Sequence, residues 1–244
     1  MPFFALAGRW IVRSPRILSS EDKVVFDALK AQVEAGTFRA PLDSPLWFCA
    51  DELGLTIAHY AAGEGLLPDG FTRWDLRADY GCSVAECAMR AKKLPPDFDQ
   101  WGIFVYKWDL RSPLSIAHVA AKEGLLPKDF SAWDIPTVHI ENPSRMKTVA
   151  HIAAINSRLP KNFDQWSLID GEGKTVAHEA AFRGCLPDGF KEWDLLDSEG
   201  VTVAEVAFSH PKKGALYRAA FEASTVSSEI EERQVKAFIR RGGA

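Results

Sequence analysis

The stretch KTVAHEAAFRGCLPDGFKEW, residues 174–193, contains the features that recur through most of this chain. Ala177 lies 16 residues before Trp193. Pro187 lies six residues before that tryptophan, and Phe190 lies three residues before it. If these distances recur elsewhere, the chain is built from copies of one structural unit.

The same register occurs five times between about residue 51 and residue 200. The alanines are Ala58, Ala85, Ala117, Ala150 and Ala177, and the tryptophans are Trp74, Trp101, Trp133, Trp166 and Trp193. The prolines are Pro68, Pro95, Pro127, Pro160 and Pro187, and the phenylalanines are Phe71, Phe98, Phe130, Phe163 and Phe190. A fixed register of four residue types over five copies indicates a repeat protein.

Weaker copies of the repeat lie on both sides of these five. Pro41 and Trp47 keep the six-residue spacing before residue 51, and Pro211 and Tyr217 keep it after residue 200. We therefore predict an N-terminal cap and a degenerate first repeat in residues 1–50, five repeats in 51–200, and a degenerate last repeat with a C-terminal capping helix in 201–244. Terminal repeats need a polar outer face, which the two predicted capping helices would supply.

Each repeat opens with residues typical of a β-turn followed by a short helix. Turns such as DGEG and DSEG have Asp first and Gly fourth, as type I turns favour. A Ser or Thr then stands where the helix would begin, which predicts six N-caps: Thr56, Ser83, Ser115, Thr148, Thr175 and Thr202. The Leu-Pro pair after the helix predicts a second, very short helix, with Phe and Trp on one face.

Histidine recurs three residues after the predicted N-cap. These histidines are His59, His118, His151 and His178, and Glu86 and Glu205 occupy the position in two other repeats. A glutamate there completes a capping box. Because a catalytic histidine would not normally be present four times and exchanged with glutamate, we interpret these histidines as structural, like the repeated tryptophans. We predict no catalytic residue, no metal ligand and no cofactor.

The stretch GKTVAHEAAFRG, at 173–184, and the stretch GLTIAHYAAGEG, at 54–65, resemble the ankyrin repeat, in which Gly-x-Thr-Pro-Leu-His-x-Ala-Ala precedes a glycine. Here Val or Ile replaces the family's proline, and the alanines recur at 27, 32, 33, 27 and 27 residues rather than about every 33. The resemblance implies an all-α, ankyrin-like helical repeat solenoid with N- and C-terminal capping helices. It also implies a module that binds other proteins.

Two consecutive repeats have longer links between Trp and the next Ala than the 11 residues of the short repeats. The first link contains Phe104, Tyr106 and Trp108, and the second contains His139 and Arg145. Insertions in repeat proteins often lie on the binding face, and aromatic residues and arginine are enriched at interface hot spots. We predict these five residues as partner-binding. Alternatively, the links fold as short β-fingers that bury their apolar residues, as the alternation in IFVYKW suggests.

Composition and charge restrict the class of partner. The net charge is −4, and basic residues form no stripe that could follow a nucleic-acid backbone. The start of the chain is a poor signal peptide and no apolar run is long enough to span a bilayer, so we expect no membrane association and a cytoplasmic protein. An effector would instead be delivered into a host cell.

The function predicted from these observations is a non-enzymatic protein–protein interaction module that occupies a partner's surface, as an effector or an inhibitor does. An adaptor or scaffold subunit of a larger complex is the alternative, followed by an enzyme whose active site is built from loops. No Gly-x-Ser-x-Gly, phosphate-binding loop, His-Glu-x-x-His or Cys-x-x-Cys sequence is present.

Overall fold

The structure, a computed structural model, describes residues 19–105, 114–139 and 142–225. The chain divides into two compact units, Met1–Ile116 and Ala117–Ala244. Each unit consists of helices joined by turns, and the elements follow the repeats of the sequence.

The first unit contains three α-helices, one 3₁₀ helix and one antiparallel strand pair among its described residues. The helices are α1, Ser20–Glu34; a 3₁₀ helix, Pro45–Phe48; α2, Ile57–Glu64; and α3, Val84–Arg90. The strands are β1, Phe104–Val105, and β2, Leu114–Ser115. Helix α1 contacts α2, and α2 contacts α3, so that successive repeats pack side by side.

The second unit repeats this arrangement. Its helices are α4, Ile116–Glu123, which begins at the last residue of the first unit; a 3₁₀ helix, Pro143–Arg145; α5, Val149–Ile155; α6, Val176–Arg183; and α7, Val203–Phe208. Residues 214–225 are also helical. Helix α5 contacts α6, and α6 contacts α7.

The amides at the start of each short helix are satisfied by the preceding segment. In α6 the N–H of Val176 donates to the carbonyl of Leu168 (2.9 Å), and that of Ala177 donates to the carbonyl of Trp166 (3.2 Å). The hydroxyl of Thr175 accepts from the N–H of His178 (3.3 Å). A helix start leaves its first amides without intrahelical partners. The spacing between Trp and the next Ala therefore reflects a hydrogen bond between consecutive repeats.

The predicted N-caps are confirmed in five helices. Thr56, Ser83, Thr148, Thr175 and Thr202 are the N-caps of α2, α3, α5, α6 and α7. Ser115, the sixth predicted N-cap, is the second residue of β2 and directly precedes α4.

The repeated Phe and Trp side chains form an edge-to-face ladder inside each unit. In the second unit Phe163 meets Trp166 at 4.9 Å between ring centroids, Trp166 meets Phe190 at 5.3 Å, and Phe190 meets Trp193 at 5.0 Å. Interplanar angles of 85–89° are those that aromatic quadrupoles favour. Phe163 and Phe190 thus each contact the tryptophan of their own repeat and that of the preceding repeat.

Aromatic residues at the ends of the repeat array extend these ladders. Trp47 packs between Phe38 (5.0 Å) and Phe71 (5.9 Å), although its own repeat has Ser44 in place of phenylalanine. At the other end Trp193 contacts Tyr217 (6.2 Å) and Phe221 (6.0 Å). The repeated tryptophans are buried except Trp101, which is half-buried.

The prediction of a second short helix in each repeat is wrong. Residues 66–75 contain only turns, and the same holds for the corresponding described residues of the other repeats. The N–H of Phe71 donates to the carbonyl of Pro68 (3.1 Å), and that of Phe190 to the carbonyl of Pro187 (3.3 Å), which closes a single turn. Proline and glycine limit helical propagation here, so the two aromatic side chains hold the segment through the ladder instead.

The sequence predicts an apolar stripe along α1 formed by Val24, Val25, Leu29 and Val33, and this prediction holds only for the last two. Its buried residues are Phe26, Leu29 and Val33, whereas Val24 and Val25 are exposed. Phe26 lies against Tyr60 of α2 at 5.8 Å between ring centroids. The aromatic contact sets the rotation of the helix and turns the two valines outward.

The predicted C-terminal capping helix, residues 227–243, lies outside the described residues. The helical residues 214–225, which directly precede it, were missed from the sequence. Their contact with the rest of the second unit includes Tyr217 and Phe221 against Trp193. The spacing of Tyr217 and Phe221, four residues apart, is the sequence pattern that could have revealed this helix.

The repeated turn, N-cap and short alanine-rich helix confirm the predicted fold class. Over the residues that the structure describes, the protein is an all-helical array of ankyrin-like repeats, apart from the strand pair β1–β2 and isolated bridges at the turns. Burial in every short helix falls on the small Ala side chains and on the residue after the N-cap. Small side chains allow successive helices to approach closely, which explains why alanine rather than leucine recurs.

Candidate functional site

The turn before the helix has the same construction where it begins with Asp51, Asp170 or Asp197, whereas the short link before α3 has Ala78 at that position. In the turn at residues 170–173 the Asp170 carboxylate accepts from the amides of Glu172 and Lys174, both at 2.9 Å. The N–H of Gly173 donates to the carbonyl of Asp170 (3.0 Å), and Gly173 has a φ of +75°, which favours glycine. This agrees with the predicted type I turn.

One residue beside each turn forms an antiparallel bridge with the N-cap residue of its repeat. We call these the bridge positions: Ala50, Arg77 and Phe104 in the first unit, and Pro136, Ile169 and Leu196 in the second. Phe104 is 39% exposed, Ile169 62% and Leu196 58%. Three repeats therefore present a large apolar side chain to solvent from the same structural position. Only Phe104 of these three was predicted from the sequence, because exposure at this position does not follow from residue type.

The first long link begins and ends in a β-hairpin. Phe104 pairs with Ser115, and Val105 pairs with Leu114. Val105 is buried whereas Phe104 points outward, as expected for neighbouring residues of a strand. The base of this link thus agrees with the β-finger alternative. Tyr106 and Trp108, the other two predicted binding residues of this link, lie outside the described residues.

The second long link is also closed at its base. The N–H of Thr137 donates to the carbonyl of Lys147 (2.8 Å), and the N–H of Lys147 donates to the Thr137 hydroxyl (2.9 Å). The 3₁₀ helix Pro143–Arg145 lies within this link and exposes Arg145. Arg145 forms no salt bridge with any other described residue. His139 is half-buried in the same link.

The second long link packs directly on the following turn. Lys147 Nζ lies 2.7 Å from a carboxylate oxygen of Asp170 and 3.9 Å from one of Glu179. Burial opposes ionisation of Asp170, but the hydrogen bonds from Lys147 and the Lys174 amide outweigh it, so that the pKa of Asp170 is lowered. The N–H of Gly171 also donates to the carbonyl of Met146 (2.7 Å). This link therefore has a fixed position on its neighbour.

Replacing Gly171 with alanine is expected to dislodge the second long link. A Cβ atom there would overlap the carbonyl oxygen of Pro143 and would lie 2.9 Å from that of Ser144. Both obstacles are backbone atoms, so the link has to move, at a cost of about 1–3 kcal/mol. Urea denaturation of both proteins measures the loss.

Gly63→Ala is the matched control for this change. Gly63 lies inside α2, and a Cβ atom added to it would have no neighbour within 4 Å beyond its own helix. Alanine should stabilise the helix there by about 0.5–1 kcal/mol. Equal stability of Gly171→Ala and wild type would show that the second link does not pack on this turn.

The repeated histidines connect consecutive repeats. His59 Nε2 donates to the carbonyl of Cys82 (3.1 Å), His151 Nε2 to that of Lys174 (3.0 Å), and His178 Nε2 to that of Val201 (2.9 Å). Each acceptor directly precedes the N-cap of the next repeat. Because Nε2 donates, Nδ1 is the acceptor, and it lies 2.6–2.8 Å from the N-cap hydroxyl.

Burial lowers the pKa of these imidazoles where the shift is resolved. It lowers the pKa of His118 to about 4 and also that of His59 and His151, while hydrogen bonds to backbone carbonyls offset part of the effect. In the folded protein at pH 7, the imidazoles of His59, His118 and His151 are therefore neutral. These side chains lie inside the repeat array, and their hydrogen bonds are used for packing.

The two glutamates that replace histidine three residues after the N-cap form different hydrogen bonds. Glu205 forms the expected capping box with Thr202. Glu86 instead binds Arg90, with the Arg90 Nη2 at 2.7 Å, and leaves only the Ser83 side chain capping the helix. The predicted capping box at Glu86 is therefore wrong, because an arginine one turn later takes the carboxylate.

The described residues contain no group of three or more His, Cys, Asp or Glu side chains placed to hold a metal ion. Within residues 19–105, 114–139 and 142–225, no helix combines the length and apolar character that crossing a membrane requires.

Among solved structures, this chain is similar to the ankyrin repeat domain of Bcl-3, described as a unique member of the IkappaB protein family. The two have 17% sequence identity and a TM-score of 0.44, and the match covers 76% of this chain and 89% of that domain. No protein-family model matches the sequence, and no curated protein matches it. The turn, N-cap and helix described above make the repeats of this chain divergent and ankyrin-like.

Proposed function

We propose that this protein is a non-enzymatic binding module that occupies the surface of a partner protein, as an inhibitor or an effector does. The observation that carries the proposal is the exposure of Phe104, Ile169 and Leu196 at the same bridge position of three repeats. A partner that covers these side chains would remove them from water. Fully burying one of them contributes about 1.5–3 kcal/mol.

The long links supply further proposed binding residues, those of the first link in the first unit and those of the second link in the second unit. Phe104, Tyr106, Trp108, His139 and Arg145 include the residue types that most often dominate binding energy. Phe104 is exposed beside a buried neighbour, Val105, and Arg145 is exposed on a 3₁₀ helix. The packing of Lys147 on Asp170 supports a pre-ordered second link, which lowers the entropy lost on binding.

The chemistry of these residues describes the partner. Apolar side chains at the bridge positions require an apolar patch, and Arg145 requires a carboxylate opposite it. A net charge of −4 without a basic stripe argues against a phosphate backbone as the ligand. The proposed partner is therefore a folded protein with an apolar surface and an acidic rim, and the expected compartment is the cytoplasm.

A double change in the first long link tests this proposal. Tyr106→Ala with Trp108→Ala should weaken partner binding at least about tenfold, because truncated hot spots cost about 2 kcal/mol or more. The immobilised wild-type chain and the variant are used side by side to capture proteins from a lysate. A protein enriched by the wild type and lost with the variant is then purified, and its Kd is measured.

Two further variants separate the surfaces. Ile169→Ala with Leu196→Ala tests the bridge positions of the second unit, and Glu199→Ala, an exposed change in a short link, is the control that should bind like wild type. Unchanged affinity of both double variants would overturn the proposed surface. A double variant that unfolds would instead show that its link belongs to the core, as the β-finger alternative holds.

A further inference from the structure

Cys82 and Cys87 bring two thiols together on the first unit. Their Sγ atoms are 3.5 Å apart, and both residues are partly exposed. Cys82 directly precedes Ser83, the N-cap of α3, and Cys87 lies in the first turn of that helix. Neither Cys49 nor Cys185 has a second cysteine sulfur in contact among the described residues.

The backbone around these thiols is fixed. The carbonyl of Cys82 accepts from His59 Nε2 (3.1 Å) and from the N–H of Ala78 (2.9 Å). Cys87 is held by its helix, and its N–H donates to the carbonyl of Ser83 (3.1 Å). A disulfide requires the sulfurs to approach to about 2.05 Å. Rotation of the two side chains can supply most of that approach, because the sulfurs already face each other.

The two thiols are not equivalent. The hydrogen bond between the two sulfurs lowers the pKa of Cys87 and raises that of Cys82. Burial raises the pKa of both thiols, and the Arg90 guanidinium adds a smaller lowering at both. The Glu86 carboxylate, which pairs with Arg90, also raises the pKa of both thiols. Cys87 is therefore the better nucleophile, and Cys82 is placed to attack a product formed on it.

We propose that Cys82 and Cys87 form a reversible oxidation site whose oxidant is a peroxide. The Cys87 thiolate attacks one peroxide oxygen, the O–O bond breaks, and a sulfenic acid forms as the other oxygen leaves as water or alcohol after taking up a proton. The Cys82 sulfur then attacks the Cys87 sulfur, loses its proton and expels water. Two thiols are thereby oxidised by two electrons to one disulfide, and the peroxide is reduced by two.

The tryptic peptide of residues 78–90 makes this site directly measurable. Arg77 and Arg90 bound it, and it contains both Cys82 and Cys87 but no other cysteine. The folded protein is treated with hydrogen peroxide, free thiols are alkylated, and the peptides are analysed by mass spectrometry. We expect this peptide to lose two hydrogen atoms and to resist alkylation until it is reduced. Cys49 and Cys185 should stay alkylatable at a dose about tenfold higher.

Single substitutions assign the two roles. In Cys82→Ser, Cys87 should stop at a sulfenic acid that dimedone traps, whereas in Cys87→Ser, Cys82 should react no faster than Cys49. Cys185→Ser should leave disulfide formation unchanged, and circular dichroism verifies that each variant is folded. Oxidation of Cys82 and Cys87 at the rate of Cys49 and Cys185, or without a cross-link in peptide 78–90, would overturn the proposal.

Discussion

Replacing Phe190 with alanine is expected to lower the free energy of unfolding by about 3–5 kcal/mol. Phe190 is 5% exposed, and its ring fits between Trp166 at 5.3 Å and Trp193 at 5.0 Å. Removing it leaves a cavity between two repeats and two indole rings without their edge-to-face partner. Chemical denaturation followed by tryptophan fluorescence measures the loss.

Phe182→Ala is the matched control, since it is the same substitution in the same repeat. Phe182 is 65% exposed at the end of α6, and its truncation should change stability by no more than about 0.5 kcal/mol. Repeats contact mainly their neighbours, so Phe190→Ala should also split a single unfolding transition into two. Equal midpoints for the two alanine variants would mean that the aromatic ladder does not hold the repeats together.

The second large effect is a loss of stability in mild acid. The folded-state pKa of His118 is about 4, against 6.5 for the unfolded chain, and those of His59 and His151 are also lowered. Between these values the unfolded chain binds protons that the folded chain does not, so stability falls as the pH drops from about 6.5 to about 4. His118 alone corresponds to about 3 kcal/mol over that window.

Urea midpoints measured at intervals from pH 7.5 to pH 4 test this expectation. Above about pH 6.5 both states hold these imidazoles neutral, so the curve should be flat there. His118→Gln removes one titrating group, so the slope between pH 6.5 and 4 should become shallower even though the variant starts less stable. The Asp170 carboxylate does not affect this slope, because its pKa is lowered and its contribution to stability is lost only at lower pH. If stability fell equally steeply with pH in the variant and in wild type, burial of His118 would not be a cause of the acid sensitivity.

The sequence predicted the parts of the fold that depend on nearby residues. The N-caps, the turns with Asp and Gly, and the short alanine-rich helices were confirmed because each rests on hydrogen bonds within a few residues. The second helix after Leu-Pro was wrong, because aromatic packing between repeats holds that segment without helical hydrogen bonds. The predicted stripe of α1 was wrong at Val24 and Val25 for a related reason, since the contact between Phe26 and Tyr60 sets the rotation of the helix.

Only part of the candidate site could be predicted from the sequence. Phe104 and Arg145 were predicted as binding residues because they lie in the long links, and the structure shows that both are exposed. Ile169 and Leu196 were not predicted, because solvent exposure of an apolar residue depends on which neighbours cover it. Lys147 and Asp170 are 23 residues apart, and their pairing needs the second link to fold back on the next turn.

The sequence by itself determined the repeat, its register and the start of most of the short helices, because the same local hydrogen bonds are encoded in most copies. Only the tertiary structure decided which side chains meet across repeats and which remain in water. The contact between Cys82 and Cys87 and the outward direction of Ile169 belong to this second class. Both depend on the distance and rotation between packed elements, which residue spacing along the chain does not specify.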